Sequence, residues 1–456
     1  MKPTTASQLA EVLGVRVAAG DPSAIVSAGV STDTRRLVPG AAFFALRGDH
    51  FDGDRFAADA FTAGATVVVV SSWSGPVPSG SVAVIVVADP LLALQRLAFW
   101  WRSQLHLPVV GITGSNGKTS TKDFVAAVLG QRYEVAATRG NLNNHIGLPL
   151  SVLATSHEHS AAVWEMGMNH AGELAPLCEI ARPKYGIITN IGTAHIEFLG
   201  SREAIAEEKG MLARVLPADG ALALSAGCDF FEYFRQRTHA PVIPVGNGRG
   251  IVRAEGIVTQ GACSRFTLVI DGSKPAIVEL PVPGRHMVFN SLLAAAIGWK
   301  LGLDTLQIAE GLSNATITGG RLRCYGIDGI HIIDDTYNAN PESMLAAIDT
   351  LTETPLPQPG GRRILVLGRM GELGDHAPAA HLRVGREAAA KGLSVIAVGE
   401  GAEGIAEGAG GSPHLVDPDE AAAYVARESR KGDVILFKGC RAAAVENVMR
   451  KAFPIR

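Results

Sequence analysis

The sequence predicts an α/β protein of three domains, and three observations carry that expectation. The chain has 456 residues, too many for one ordinary hydrophobic core. From Val109 onward, short apolar runs alternate with helical segments, the pattern of parallel strands joined by helical crossovers. A glycine-rich turn ending in Gly-Lys-Thr follows the first of those runs. The expected order is a small α/β amino-terminal domain (residues 1–104), a central doubly wound, mainly parallel sheet with a phosphate-binding loop (105–315), and a Rossmann-like carboxy-terminal domain (316–456).

In the first section, Ala42–Leu46 and Thr66–Val70 read as strands, with a helix near Arg55–Ala63 between them. The stretch ATVVVVSSWSGPVPSGSVAVIVVADP is cut by Ser, Gly and Pro, so it reads as two strands and a loop, not a membrane span. LLALQRLAFWWRSQ is a helix leading out of the section. The central strands are VVGIT, AAVWEM, YGIITNI and ALALS. GRHMVFNSLLAAAIGWKLG is a helix opening near His286 and closing at Gly302. In the third section GIHIIDDTYNANPESM, RRILVLGRMGEL, LSVIAVGE and GDVILFKGC bear strands, and ETPLPQPGGRR is an internal loop.

Composition excludes several classes. Hydrophobic residues make up 47% and charged residues 19%, which suits soluble domains with large cores. The formal net charge of -3 gives no broad electrostatic reason to bind nucleic acid, so an anionic ligand has to be held by local groups. The five cysteines are odd in number and form no C-x-x-C pair, so neither a disulfide framework nor a zinc site is expected. Reduced thiols in a cytosolic protein are expected instead. The amino-terminal MKPTTASQLAEVLG lacks the apolar core of a signal peptide.

VVGITGSNGKTSTKDF reads as a strand, a turn and a helix, yet it does not fit G-x-x-x-x-G-K-[ST], because the residue five before Gly117 is Ile112. The physics of the loop survives the altered spacing. Glycines let the backbone approach a phosphate, the amides at the helix start point at its oxygens, Lys118 supplies a charge, and the Thr119 hydroxyl can bind magnesium. Glu165 ends an apolar strand and His195 follows another, and ligands gather beyond the carboxyl ends of parallel strands. Lys209, from its spacing alone, is a solvated helix lysine. Arg321 lies near a section boundary, where it could reach a phosphate. Asp335, Thr336, Tyr337 and Asn338 follow a strand and suit a ribose, a base or a small polar substrate; a turn satisfied by its own Asx side chains is the alternative.

TGSNGKTSTKD resembles the ATP loop of the Mur ligase family, whose shorter Gly-x-x-Gly-Lys-Thr/Ser form accounts for the spacing. The resemblance covers nearly the whole chain. STDTRRLVPGAAFFALRGDHFDGDRFA, GNLNNHIGLPLSVL, WEMGMNHAGE, DDTYNANPESM and GDVILFKGCRAAAVENV resemble the branch that adds a D-alanyl-D-alanine dipeptide. This resemblance implies an ATP- and Mg2+-dependent cytoplasmic ligase, acting as a monomer on UDP-N-acetylmuramoyl-tripeptide and D-alanyl-D-alanine, with no nucleic acid and no membrane insertion. It implies that Thr113, Gly114, Ser115, Asn116, Gly117, Lys118 and Thr119 bind ATP, that Thr119 and Glu165 hold one magnesium, and that His195 and a carbamylated Lys209 hold a second. Asn290 is expected at adenine, Arg321 and Asp335 at phosphate and ribose, Tyr337 beside the base and Asn338 at substrate. Thr32, Asp33, Thr34 and Arg35 are expected to hold the UDP part.

Two departures stand out. Arg369 occupies the usual Asp position in LGRMGELG, and ALSAGCDF lacks the common Asn-x-Asp-Asp. The rival readings are the ligase adding the third peptide residue, a folylpolyglutamate synthase, a nucleotide-binding scaffold and a non-ligase NTPase. The Asp-Tyr-Ala-His-x-Pro and Asn-Pro-Arg segments of the first rival are not seen, and the second would not need the TDTR segment.

Overall fold

The computed structural model describes residues 1–48, 51–246 and 250–454. Its contacts divide the chain into two units. One comprises Met1–Gly111, Tyr133–Met168 and Gly172–Tyr185; the other comprises Ile112–Arg132, Asn169–Ala171 and Gly186–Arg456. The divisions fall inside two strands of a nine-stranded sheet, Val109–Thr113 and Tyr185–Ile188.

The first unit holds a five-stranded sheet in the order Val17–Gly20, Ala83–Val86, Val67–Val70, Ala42–Phe44, Val30–Ser31. Val17–Gly20 runs antiparallel and the others are parallel. Phe43, Val68, Val70 and Val84 pack on Ala57 and Ala60 of the helix Ala57–Thr62. That helix starts later than expected, because Gly53–Phe56 forms a 3-10 turn capped by Asp52, which accepts from Asp54 N at 3.2 Å. The helix Pro90–Ser103 opens where the sequence suggests: Asp89 accepts from Leu91 N and Leu92 N, and Pro90 stands where a missing N–H costs nothing. Trp101 on this helix is fully buried, and its indole donates to Thr155 O at 2.8 Å.

In the second unit the large sheet continues through Tyr185–Ile188, Ala221–Ser225, Val242–Val245 and Val252–Gln260. Cys263–Ile270 and Ala276–Leu280 then add an antiparallel edge. The expected parallel sheet does not include this edge, although Phe266, Leu268 and Ile270 alternate with Arg265, Thr267 and Val269 at the period of a half-buried strand. The helix Arg285–Lys300 packs on Lys118–Leu129, the helix behind the phosphate loop. A Cβ on Gly298 would lie 2.5 Å from Val128 Cγ1, so a bare backbone sets their separation.

A second sheet runs Arg323–Ile327, Ile330–Asp335, Val434–Lys438, Arg363–Leu367, Ser394–Val398, His414–Leu415. The first pair is antiparallel and the rest parallel. Ile332, Val366, Ile435 and Phe437 fill its core with Val445. The register puts Asp335, Lys438 and Leu367 side by side at the carboxyl ends, so the loops after Asp335 and Leu367 leave from one edge. No helix among the described residues is long and apolar enough to cross a membrane, and none of the five cysteines is in a disulfide.

Asp433 fastens the opposite end of this sheet. Its fully buried carboxylate accepts from Arg362 N at 2.9 Å, Arg362 Nη2 at 2.7 Å and Arg430 N at 3.0 Å. Burial raises its pKa, but the Arg362 and Arg430 hydrogen bonds outweigh this and leave it below the ordinary 3.8. A depressed carboxylate contributes stability above its unfolded pKa and loses it as pH falls through the folded value. Asp433→Ala is therefore expected to cost about 2–4 kcal/mol in denaturant unfolding at neutral pH. The gap from the parent should narrow once pH falls below the carboxylate range; a gap that stays constant there would contradict the assignment.

Candidate active site

The strand Val109–Thr113 is buried along its whole length and delivers the phosphate loop to its end. Two glycines there cannot be replaced. Gly114 has φ 144°, and a Cβ would fall 1.9 Å from Thr189 Oγ1; Gly117 has φ 78°, and a Cβ would fall 2.6 Å from Asn290 Nδ2. The helix that starts at Lys118 has Gly117 at its N-cap, a residue with no side chain to cap the first turn, and a helix start of this kind suits an anion.

The loop's other groups are tied down. Ser115 N donates to Asn190 O and Asn116 N to Asn190 Oδ1, both at 3.0 Å. Asn116 O accepts from Thr189 Oγ1 at 2.5 Å and Asn190 Nδ2 at 3.2 Å. Asn340 Nδ2 donates to Asn116 Oδ1 at 2.7 Å, and Gly192 N donates to Ser115 Oγ at 2.9 Å. Lys118 Nζ donates to Gly114 O at 2.9 Å. Thr113 is fully buried beneath them.

Lys209 overturns its spacing-based reading as a solvated lysine. It lies on the buried face of the helix Arg202–Val215 with 1% of its surface exposed. Burial, then the charge of Lys118, push its pKa well below the usual lysine value; Glu208 acts weakly the other way. His195 lies in the same field. Burial lowers its pKa ahead of the opposing effect of Glu372, and the charges of Lys118 and Lys209 lower it further. His195 Nδ1 stands 2.6 Å from Glu372 Oε2, an ion-pair distance outside hydrogen-bond geometry. His195 and Glu372 both have left-handed backbones, at φ 66° and 59°, and Leu322, next to Arg321, has φ 54°. Half of the six such non-glycine residues among those described therefore adjoin this site, the usual signature of geometry imposed by function.

Arg321 Nη2 donates to Thr119 Oγ1 at 2.8 Å, while its guanidinium lies 3.9 Å from the Tyr337 ring centre. Its Nε is buried with no partner among the described residues. Asp335 accepts from Lys438 Nζ at 2.6 Å, and the same ammonium donates to Asn338 O at 3.0 Å, which shapes the turn after the strand. His286 is half-buried near this pair, and desolvation lowers its pKa to about 4. Asn290 is buried directly against Gly117.

The remaining predicted residues belong to the first unit. Glu165 is buried at its strand end, accepting from Asn143 Nδ2 at 2.7 Å and donating its N–H to Thr138 Oγ1 at 3.0 Å. Asp33 caps the 3-10 turn Thr34–Arg36, and the Arg35 guanidinium holds its carboxyl down to about 2. Asp33 O accepts from Ser31 Oγ at 2.9 Å, and Thr32 lies between these two residues in a half-buried approach to the turn. Among the described residues no group of three or more His, Cys, Asp or Glu forms a ready-made metal cage.

Family models match all three sections: the Mur ligase family catalytic domain over residues 26–99, the Mur ligase middle domain over 112–298, and the Mur ligase glutamate ligase domain over 320–441. The chain belongs to the Mur ligase family. Similar Mur ligases include the UDP-N-acetylmuramoyl-tripeptide–D-alanyl-D-alanine ligase of Synechocystis, 39% identical over 92% of this chain and 90% of that one. The ligase of that name from Escherichia coli is 35% identical over 99% and 98%. A crystal structure of MurF from Acinetobacter baumannii superposes with a TM-score of 0.89 at 33% identity over 100% of both chains. A MurF ligase from Thermotoga maritima in complex with ADP superposes at 0.80, with 27% identity over 93% and 96%.

Within this Mur ligase, sequence reading missed Glu372, Lys438, Asn340 and the Thr189–Asn190 brace. Asn340 had a signal, since Asn-Pro opening an apolar helix marks an N-cap, and Asn340 does accept from Ser343 N at 3.0 Å. Glu372 had none, because it meets His195 from 177 residues away, 372 minus 195. Arg369, at the family's usual Asp position, is exposed and contributes its carbonyl to Cys440 N at 2.9 Å. Gly114→Ala should weaken ADP binding at least a hundredfold, roughly, while leaving the rest of the fold in place. Calorimetry checks this, and parental affinity would show that the loop does not cradle the phosphates.

Proposed function

We infer that this protein is the ATP-dependent ligase that joins D-alanyl-D-alanine to UDP-N-acetylmuramoyl-tripeptide, yielding the UDP-muramoyl-pentapeptide, ADP and phosphate. Full-length likeness to ligases of that name carries the reading. The grouping of Lys118, Lys209, His195 and Arg321 around one phosphate loop supports it.

A carboxylate resists an amine because its charge repels the incoming lone pair and it has no good leaving group. Transfer of the γ-phosphoryl group to the tripeptide carboxylate gives an acyl phosphate and ADP. The neutral amine of D-alanyl-D-alanine then attacks the acyl carbon. A tetrahedral intermediate collapses into the amide, phosphate leaves, and the amine gives up a proton. Lys118 and Arg321 offset the charge gathering on the phosphoryl oxygens. A phosphate oxygen would satisfy the unpartnered Arg321 Nε.

The donor set suits magnesium, which keeps water and phosphate oxygens and needs few protein ligands. Thr119 would serve as one magnesium ligand and Glu165 as another, and His195 with a carbamylated Lys209 would hold a further ion. Bound there, magnesium would withdraw charge from the phosphoryl group. Asn290 and Tyr337 would flank adenine, Asp335 would take the ribose and Asn338 the substrate. Thr32, Asp33, Thr34 and Arg35 would receive the UDP part, in a substrate domain of residues 1–104 preceding an ATPase domain (105–315) and a ligase domain (316–456).

Phosphate release is expected to require both UDP-muramoyl-tripeptide and D-alanyl-D-alanine. Equal ATP hydrolysis without an amine would exclude a ligase. Substitution of lysine or diaminopimelate for the dipeptide would keep the class and change the branch.

Lys209 sharpens the test. Carbamylation joins an unprotonated amine to carbon dioxide with loss of a proton, and burial favours that unprotonated form. Lys209→Ala should be nearly inactive and partly restored by short carboxylic acids, and bicarbonate should add a carbamate mass to the parent. Full activity in Lys209→Ala would remove it from the site.

A further inference from the structure

Glu342 sits in the first turn of the helix Pro341–Glu353, where any carboxylate is favoured by the helix amides. Its oxygens nevertheless point at another loop. Oε1 accepts from Thr193 N at 2.9 Å, and Oε2 accepts from Thr193 Oγ1 at 3.1 Å. Gly192 makes this approach possible, since a Cβ there would stand 2.9 Å from the Glu342 carboxyl carbon. The helix start is itself fixed. Asn340 caps it through Ser343 and also donates to Asn116 of the phosphate loop at 2.7 Å.

Thr193 lies two residues before His195. The left-handed backbone of His195 carries a steric cost for a residue with a Cβ, and such a conformation persists where its surroundings over-determine it. The approach to His195 is held from both directions. Gly192 N donates to Ser115 Oγ, Thr193 O accepts from Ile196 N at 3.2 Å, and Glu342 takes both donors of Thr193. Truncating Glu342 would leave the partly buried Thr193 N–H without its acceptor and free the backbone that aims the imidazole.

We propose that Glu342 is a positioning residue, a carboxylate from the third section that pins Gly192–Thr193 and thereby orients His195 against the phosphate loop. The proposal rests on the ligase reading above. It is distinct from a helix-stabilising role, because the two roles rank conservative variants in opposite orders. Glu342→Gln keeps the length, one acceptor for Thr193 N, and an amide that can donate to the Thr193 hydroxyl. Glu342→Asp keeps the charge at the helix start but withdraws the carboxylate from the loop.

The test measures dipeptide-dependent phosphate release, melting temperature, and ADP affinity by calorimetry with magnesium and with magnesium chelated. Glu342→Ala should lower kcat by about tenfold to a hundredfold, with a smaller change in KM for the dipeptide, and should shrink the gain in ADP affinity that magnesium brings. Glu342→Gln should recover most of both losses, and Glu342→Asp should recover little. The reverse order, or a parental kcat and magnesium gain in Glu342→Ala, overturns the proposal. If Glu342→Ala does not fold, the order of the Gln and Asp variants decides. A parent enzyme that releases no dipeptide-dependent phosphate would instead sink the ligase reading, and the calorimetric order would still judge Glu342.

Discussion

A loop that offers its backbone amides to a polyanion keeps that shape only if its carbonyls and side chains are held elsewhere. The rest of the site depends on this constraint. Asn190 receives two loop amides, Thr189 and Asn190 donate to the Asn116 carbonyl, and Gly114 packs so closely on Thr189 that a single methyl would break the arrangement. These braces come from the segment after a neighbouring strand, Tyr185–Ile188, so the parallel sheet supplies both the loop and its support. The short Gly-x-x-Gly-Lys-Thr spacing works because rigidity comes from this packing and not from the number of glycines.

Charge is the second constraint. Lys118 and Lys209 influence each other in a poorly solvated setting, and two ammonium groups there repel strongly. The fully buried one yields, and Lys209 is driven toward its neutral form. The same field, added to burial, favours neutral His195, whose ring meets the Glu372 carboxylate. The Lys118 charge thus stands at the loop while Lys209 beside it is driven toward its neutral form.

The third section reaches this centre from the edge of its own sheet. Asp335 and Lys438 are register partners, and their ion pair sets the turn that carries Tyr337 and Asn338. Arg321 stacks on Tyr337 and donates to Thr119, while Asn340 donates to Asn116. Two side chains from separate positions, Arg321 and Asn340, therefore meet a single loop, with Tyr337 stacked on the first. That convergence fits a family whose members share this architecture across solved structures.

Much of the fold was legible in the chain because strands and helices are local. VVGIT, ALALS and the helix closing at Gly302 are written in runs of apolar residues and in Gly and Pro punctuation. The antiparallel edge carried its period-two signal in Cys263–Ile270, yet a parallel reading of the neighbouring strands masked it. Lys118 and Thr119 were legible because a phosphate loop is one contiguous segment. Lys209 was not, because Glu203–Lys209, mostly Glu, Ala and Lys, looks solvated until the helix is docked and its lysine face is found inside. Glu372, Glu342 and Asn340 act on residues more than a hundred positions away, so their roles exist only once the chain is folded. By itself the sequence determined the elements, the loop and the kind of ligand. Tertiary structure decided which charges share a low-dielectric space, because that depends on distance and burial and not on order along the chain.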